Sequence, residues 1–226
     1  MTHNLAEDGK ESKNGFQLLV HGVVEGAECT EVGTLFARTH LFFGPDWSFL
    51  TAGQSDYSDT DVLVSPTYSN NAEIVTQLSD RAQSPFATFN WSAPFEFALQ
   101  STNPSGWPQL VVTLHTVTNG NENRDPEDKT GNLLGSGESI IGYGRCFVPC
   151  TPGHHTKKIR MMQLENATRK HQFVSMLTRE KPVLRDLSYL CKGEDRIVLT
   201  ARSLAGSVTL SFSVMVNGLQ NCGFEL

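Results

Sequence analysis

Cysteine and histidine lie close together in one stretch of the chain, where metal binding is the first chemistry to consider. Cys146 and Cys150 come shortly before His154 and His155. Structural zinc sites more often combine two pairs of closely spaced ligands. Cys146 and Cys150 instead flank the end of a predicted strand, so we interpret them as buried free thiols and expect no zinc.

Carboxylates in three parts of the sequence could supply oxygen ligands for calcium. They are Asp46, the cluster Asp56, Asp59 and Asp61, and the group Asp125, Glu127 and Asp128. Calcium takes about 6–8 oxygens, preferably from preorganised loops. Because the last group falls in a very polar segment, we expect solvated loop acids and no metal.

A basic run begins at a Pro-Gly turn and continues into a predicted strand. It consists of His154, His155, Lys157, Lys158 and Arg160. Side chains alternate along a strand, so Lys158 and Arg160 share a face and Lys157 points to the other. Each cation near an anionic membrane contributes about 1 kcal/mol. The run therefore predicts contact with lipid or a partner, and an exposed basic edge that prevents aggregation is the alternative.

Recognisable catalytic motifs are missing from the sequence. It contains no nucleophile elbow, no H-E-x-x-H pair and no phosphate-binding Gly-rich loop. The seven histidines are scattered without an acid–base partner. We expect no catalytic residue and no cofactor, and hence a protein that is not an enzyme.

Charge is unevenly distributed along the 226 residues. The whole chain has 18 Lys/Arg against 24 Asp/Glu, a net charge of −6. Counted along the sequence, residues 1–153 hold 7 basic and 18 acidic residues, whereas 154–202 hold 11 and 5. The acidic balance argues against nucleic-acid binding, and the basic part suits an anionic lipid or an acidic partner.

The sequence predicts a cytosolic protein with reduced thiols. Its N-terminus has no apolar signal-peptide core, and its five cysteines are few and odd in number. No stretch approaches the roughly 18–20 apolar residues of a transmembrane segment. Any membrane contact is expected to be peripheral.

Period-two alternation of apolar residues predicts strands through most of the chain. The predicted strands are 16–22, 34–44, 72–78, 86–91, 95–100, 107–117, 140–149, 157–163, 196–203 and 206–218. With no βαβ rhythm, these ten segments indicate an all-β, antiparallel sandwich, which we expect to contain about eight strands. Phe173, Val174, Met176 and Leu177 have helical spacing, which predicts one short amphipathic helix over 167–177, packed outside the sandwich.

The same patterns divide the chain into one domain and its tails. Residues 1–14 are interpreted as a flexible N-terminal tail, 15–218 as the domain and 219–226 as a C-terminal tail. Residues 119–139 are too polar and Gly-rich to pack, so we interpret them as a loop insertion.

Two sequence blocks carry a family resemblance. STNPSGWPQLVV (101–112) and GYGRCFVPCTPGHHTKKIRMM (142–162) resemble the central motifs of B9-domain proteins of the ciliary transition zone, and FFGPDW (42–47) and FNWSAPFEF (89–97) stand at the expected places. The resemblance covers residues 16–218 and implies a C2-like fold. The motif residues are Asn103, Pro104, Gly106, Trp107, Pro108, Gly142, Tyr143 and Gly144. Proline fixes φ, glycine permits close or strained backbone and Trp107 can cap the sandwich end, so we interpret this motif as structural.

The resemblance also implies a function. It predicts a non-catalytic scaffold subunit of the Meckel-syndrome (tectonic-like) complex, which contributes to the barrier for membrane proteins and to ciliogenesis. The implied partners are other B9-domain proteins, with possible peripheral contact to anionic lipid. The implied location is the cytoplasmic side of the ciliary base, at the basal body and transition zone of the cilium and in the cytoskeleton. A free-standing phosphoinositide-binding C2-like module in membrane traffic is the alternative.

Overall fold

Antiparallel strands make up most of the described chain. The computed structural model describes residues 15–50, 73–82, 87–118, 137–178, 181–193 and 199–223. Its strands are β1 (Phe16–Cys29), β2 (Thr34–Phe42), β3 (Trp47–Phe49), β4 (Glu73–Val75), β5 (Ser79–Asp80), β6 (Thr88–Ser101), β7 (Gln109–Thr118), β8 (Gly137–Phe147), β9 (Gly153–Leu164) and β10 (Ala201–Asn217). Helix α1 (Arg169–Thr178) and two short 3-10 helices, Leu187–Leu190 and Leu219–Cys222, complete the described elements.

The strands form two layers joined along one seam. Hydrogen-bonded neighbours follow the order β3-β6-β1-β10-β9-β8-β7-β2-β4, and β5 pairs with β2. At the seam, β8 and β9 share a single ladder pair, Tyr143 with Met162. The sheet therefore folds over between these two strands, which confirms the predicted antiparallel, C2-like sandwich.

The main core lies between the two layers. In β10, Val208, Leu210, Phe212 and Val214 are buried, while Thr209, Ser211 and Ser213 on the other face are partly exposed. The buried residues belong to the same cluster as apolar side chains of β2 and β7, namely Leu35, Ala37, Leu110, Val112 and Leu114. Alternation along a strand thus places one half of its side chains in the core and the other half outside.

A second, smaller core covers the outer face of β7 and β8. Val111 and Tyr143 pack there with Leu164 and Leu190. The backbone N–H of Leu184 donates a hydrogen bond of 3.0 Å to Tyr143 Oη. Burial raises the pKa of Tyr143. The segment 181–193 is therefore attached to the sandwich through Tyr143.

Two pairs of predicted strands are single strands in the structure. The predictions 86–91 and 95–100 merge into β6, within which Pro94 pairs with Val23. Proline is tolerated because, among the described residues, no strand pairs with the other side of β6 at this point, and β3 pairs with residues 99–101. The two final predicted strands join in β10, whose register shifts between Ser203 and Ser207.

Two predicted boundaries also change. Residues 137–139 belong to β8, and Glu138 pairs with Val117 there, so the insertion ends earlier than expected. The rest of the insertion and the tail 1–14 lie outside the described residues. The predicted C-terminal tail begins with a 3-10 helix, and Leu219 is buried in the main core because it is apolar and follows β10 directly.

Candidate functional site

Three aromatic side chains form a cluster at one end of the sandwich, called the signature corner below. It consists of Phe16, Trp47 and Trp107 together with Gly44 and Gly106. Trp47 lies edge-on to Phe16 and Trp107, with ring centroids 5.3 and 5.2 Å away. Phe16 stacks on Trp107 at 6.3 Å. These contacts join the start of β1, the strand β3 and the segment that enters β7.

Backbone carbonyls satisfy both indole N–H groups of the signature corner. Trp107 Nε1 donates to the Val148 carbonyl at 2.8 Å, and Trp47 Nε1 donates to the Ser105 carbonyl at 2.9 Å. The Val148 N–H donates in turn to the carbonyl of the buried Pro108 at 3.0 Å. Trp107 therefore connects the start of β7 to the end of β8.

Gly106 occupies a position that a side chain could not share. Its φ is +69°, in the left-handed region. The Gly44 N–H donates to the Gly106 carbonyl at 2.8 Å. A Cβ on Gly106 would lie 2.5 Å from Gly44 Cα. The two glycines thus allow two backbone segments to cross in contact.

The loop before this glycine is held by side-chain hydrogen bonds. Asn103 Oδ1 accepts from the Ser105 N–H at 2.9 Å, and its Nδ2 donates to Asp46 Oδ2 at 3.2 Å. Half-buried Pro104 follows Asn103. Asp46, one of the calcium candidates, therefore has a protein partner. The other six candidates, Asp56, Asp59, Asp61, Asp125, Glu127 and Asp128, lie outside the described residues.

The Gly142-Tyr143-Gly144 motif lies at the seam between the layers. A Cβ on Gly142 would be 2.8 Å from Leu204 Cδ2, and one on Gly144 would be 2.6 Å from Met161 Sδ. Missing side chains at both positions let β9 and β10 pack closely over β8. The motif residues therefore have structural contacts in both blocks of the sequence.

The cysteine and histidine candidates lie in different environments. Burial raises the pKa of the Cys146 thiol to about 12, whereas Cys150 is exposed. His155 Nε2 donates to the Thr151 carbonyl at 2.8 Å. Among the described residues, no group of three or more His, Cys, Asp or Glu side chains is placed to hold a metal ion.

The predicted basic run lies along β9. Lys157, Lys158 and Arg160 are exposed. Lys158 Nζ lies 2.8 Å from both carboxylate oxygens of Glu28. The Lys158 ammonium holds the pKa of Glu28 below its usual range. Lys158 is thus matched within the chain, while Lys157 and Arg160 form no ion pair with a described residue.

A pocket of about 680 Å³ lies where four strands meet beside this run. In one row across these strands, Glu96 pairs with His21, His21 with Ser213 and Ser213 with His154. His21 Nδ1 is 3.4 Å from Glu96 Oε2. Sequence reasoning identified only His154 and its neighbour here, because the other residues belong to distant strands.

Sequence reasoning missed a charged cluster on the other layer. Arg38 Nη1 and Nη2 lie 2.9 Å from oxygens of Glu73 and Glu138. His115 Nδ1 is 2.5 Å from Glu138 Oε1, and its Nε2 is 2.7 Å from Thr113 Oγ1. Burial lowers the pKa of His115. The cluster ties β4, β2, β7 and β8 together.

The fold and the positions of the motif residues define a class of protein. The chain is an all-β, C2-like sandwich whose motif residues pack at one corner and one seam, with a polar outer face across β6, β1, β10 and β9. No helix in the described ranges is long and apolar enough to cross a bilayer.

Comparison with known proteins then gives the family. A family model described as "Ciliary basal body-associated, B9 protein" matches residues 18–215. The chain is 31% identical over 210 residues to B9 domain-containing protein 1 of Xenopus laevis, covering 93% of this chain and 89% of that protein. The human protein of that name is 28% identical, with 95% and 88% covered. B9 domain-containing protein 2 of Bos taurus is 22% identical, with 91% and 97% covered.

The chain therefore belongs to the family of B9 proteins associated with the ciliary basal body. Its relatives at 28–31% identity are of the B9 domain-containing protein 1 type, which confirms the family predicted from the two motif blocks.

Proposed function

We propose that the chain is a non-catalytic scaffold subunit of the Meckel-syndrome (tectonic-like) complex at the ciliary transition zone. It contributes there to the diffusion barrier for membrane proteins and to ciliogenesis, and it assembles with other B9-domain proteins. The match of the B9 family model to almost the whole domain carries the proposal. The cytoplasmic side of the ciliary base, next to the cytoskeleton, is the proposed location.

The polar outer face of β6, β1, β10 and β9 is the surface that we assign to a B9 partner. Ser211 and Ser213 lie on it and have no role in the core, and Arg160 projects from its far strand. Exposed charges at the rim of an interface act chiefly on the association rate. Reversal of Arg160 should therefore slow assembly without unfolding the sandwich.

The test has two parts, localisation and co-purification. The tagged chain should concentrate at the transition zone of ciliated cells and co-purify with another B9-domain protein. The variant Arg160→Glu should weaken co-purification, and Arg81→Glu, at an exposed cation that directly follows β5, is the matched control. A diffuse tagged chain that captures no B9 partner would contradict the proposal.

The phosphoinositide-binding module is the second candidate, favoured by exposed His154 and Arg160, which share one face of β9. The pairing of Lys158 with Glu28 weakens this candidate because it removes one cation from the run. Salt-sensitive binding of phosphoinositide vesicles that is lost in Arg160→Glu, with partner binding unchanged, would favour the lipid module over the scaffold.

A further inference from the structure

Helix α1 turns its apolar side away from the protein. Phe173, Val174, Met176 and Leu177 are 60%, 53%, 74% and 65% exposed. No residue of the helix is buried. A surface helix normally turns its apolar stripe toward the core. This stripe therefore has no partner among the described residues.

The polar side of α1 faces the segment that precedes the helix instead. Gln172 Nε2 donates to the Asn166 carbonyl at 3.1 Å. Ser175 is half-buried and lines a cleft together with Glu165, Asn166, Gln172 and Met176. With about 100° between successive residues, Ser175 lies roughly opposite Phe173, and Gln172 lies about 60° from Ser175. The helix thus turns Ser175, and not Phe173, toward the preceding segment.

Two cations border the apolar stripe. Arg169 precedes Phe173 by one helical turn, and Lys170 precedes Val174 in the same way, so each cation lies above an apolar side chain. Both are exposed and form no ion pair with a described residue. Cations in the first turn oppose the helix dipole. An anionic surface next to this turn would offset that repulsion.

The stretch of sequence that contains the helix is also positively charged. Residues 166–193 contain six basic residues against two acidic ones, Glu180 and Asp186, a net charge of +4 in a chain of net −6. The basic residues are Arg169, Lys170, Arg179, Lys181, Arg185 and Lys192. An anionic partner therefore complements this region.

We propose that α1 is a membrane-surface anchor that lies in the plane of an anionic bilayer. Its four apolar side chains insert at the boundary between headgroups and acyl chains, and Arg169 and Lys170 contact lipid phosphates. A protein groove would have to bury or pair these cations beside the stripe, whereas in a membrane they extend to headgroup level. Ten residues span about 15 Å, which suits a helix lying on a membrane and not one crossing it.

This anchor goes beyond the scaffold role and uses a different surface. α1 follows β9, whose last residue, Leu164, pairs with Ala201 at the start of β10. His154, in contrast, pairs with Ser213 near the other end of β10. Substitutions in α1 therefore test the membrane anchor without touching the pocket row or the basic run of β9.

The first experiment is flotation of the full-length chain with vesicles of phosphatidylcholine alone or with roughly 30% phosphatidylserine. We expect binding to the anionic vesicles only. Phe173→Ser/Leu177→Ser should lower the apparent affinity roughly 10- to 100-fold by removing inserted apolar surface. Val183→Ser is the matched control, because Val183 is also 60% exposed but lies outside the helix.

Two further experiments measure the contribution of the helix cations to binding and the depth to which the helix inserts into the bilayer. Arg169→Glu/Lys170→Glu should reduce binding about tenfold or more, with a loss of salt sensitivity, and Arg81→Glu should not. An environment-sensitive dye on Met176→Cys, in a Cys150→Ser background, should shift its emission to the blue on binding.

Three outcomes would overturn the membrane-anchor proposal. They are no vesicle binding by the unaltered chain, unchanged vesicle binding by Phe173→Ser/Leu177→Ser, or a dye emission that does not shift when vesicles are added. Loss of B9 co-purification in that double variant with vesicle binding intact would also overturn it and make α1 a protein-docking helix. Failure of the anchor leaves transition-zone localisation and partner binding unchanged, so it is distinguishable from failure of the scaffold proposal.

Discussion

The signature corner and helix α1 lie beyond opposite ends of β10, and apolar side chains are buried in the corner but exposed on the helix. The corner adjoins Asn217, which pairs with Gln17 at one end of β10. Helix α1 follows β9, which pairs with Ala201 at the other end. The 17 residues of β10 span about 50 Å. Phe16 and Trp47 are 1% and 4% exposed. The large apolar residues of α1 are more than half exposed. Hydrophobicity alone therefore does not show whether a side chain stabilises the fold or serves recognition.

Trp107→Ala should give the largest effect at the corner. The change removes the indole contacts with Phe16 and Trp47 and leaves the Val148 carbonyl without its donor. We expect a loss of about 3 kcal/mol in the free energy of unfolding, measured by urea denaturation. Phe147→Ala is the control, since Phe147 is half exposed at the end of β8. A stable Trp107→Ala protein that only loses a partner would make the corner a binding site.

Gly106→Ala should have the next largest effect. A side chain here combines a left-handed backbone with a clash against Gly44, for which we expect roughly 2 kcal/mol of destabilisation. Gly153→Ala separates the two causes, because Gly153 has a φ of +117° but open space around its Cβ. Gly33→Ala, with open space and no positive φ, should be neutral. Equal effects of Gly106→Ala and Gly153→Ala would show that the close approach to Gly44 is unimportant.

The Lys158–Glu28 pair on the outer face, between these two regions, should contribute less. Both side chains are about half exposed, and such pairs contribute up to about 1 kcal/mol. Lys158 lowers the pKa of folded Glu28, so this stability is present above the ordinary carboxyl range and is lost as pH falls through the folded pKa.

Glu28→Gln should therefore cost under about 1 kcal/mol at pH 7 and less at about pH 3. Urea unfolding at the two pH values measures the difference, with Glu25→Gln, at an exposed acid of the same strand, as the control. A cost that persists in acid would mean that Glu28 stabilises the fold through packing or neutral hydrogen bonds.

Local patterns in the sequence predicted the elements better than their relations. Strand β10 could be predicted from its alternation of apolar and polar residues, because residues such as Leu210 and Phe212 are buried on one face only. The spacing of Phe173 and Leu177 predicted α1, but a periodic stripe shows only that apolar residues share a side, not which side meets the body. Pro94 led to the prediction of two strands where β6 is continuous, because a local signal cannot show where in the sheet a strand lies.

Pairs between distant residues could not be predicted. Arg38 and Glu138 are separated by 100 positions, and Lys158 and Glu28 by 130. Each pair depends on the order of strands in the sheet, which no local pattern contains. The structural roles of the motif glycines and Trp107 could be predicted because they depend on the residue type itself.

The smallest effect on stability is expected at α1, and it provides the sharpest test of the comparison. Phe173→Ser and Leu177→Ser remove large apolar side chains, yet each should change the free energy of unfolding by less than about 0.5 kcal/mol, because both are already exposed. The reference is Leu210→Ala, whose side chain is fully buried and whose loss should cost about 2–5 kcal/mol. Urea unfolding of all three variants in the absence of lipid measures these values. If the helix variants destabilise the chain by several kcal/mol, part of the protein outside the described ranges covers the stripe, and α1 then belongs to the core like the signature corner. If they are neutral in solution but lose vesicle binding, the same residues stabilise only the membrane-bound state.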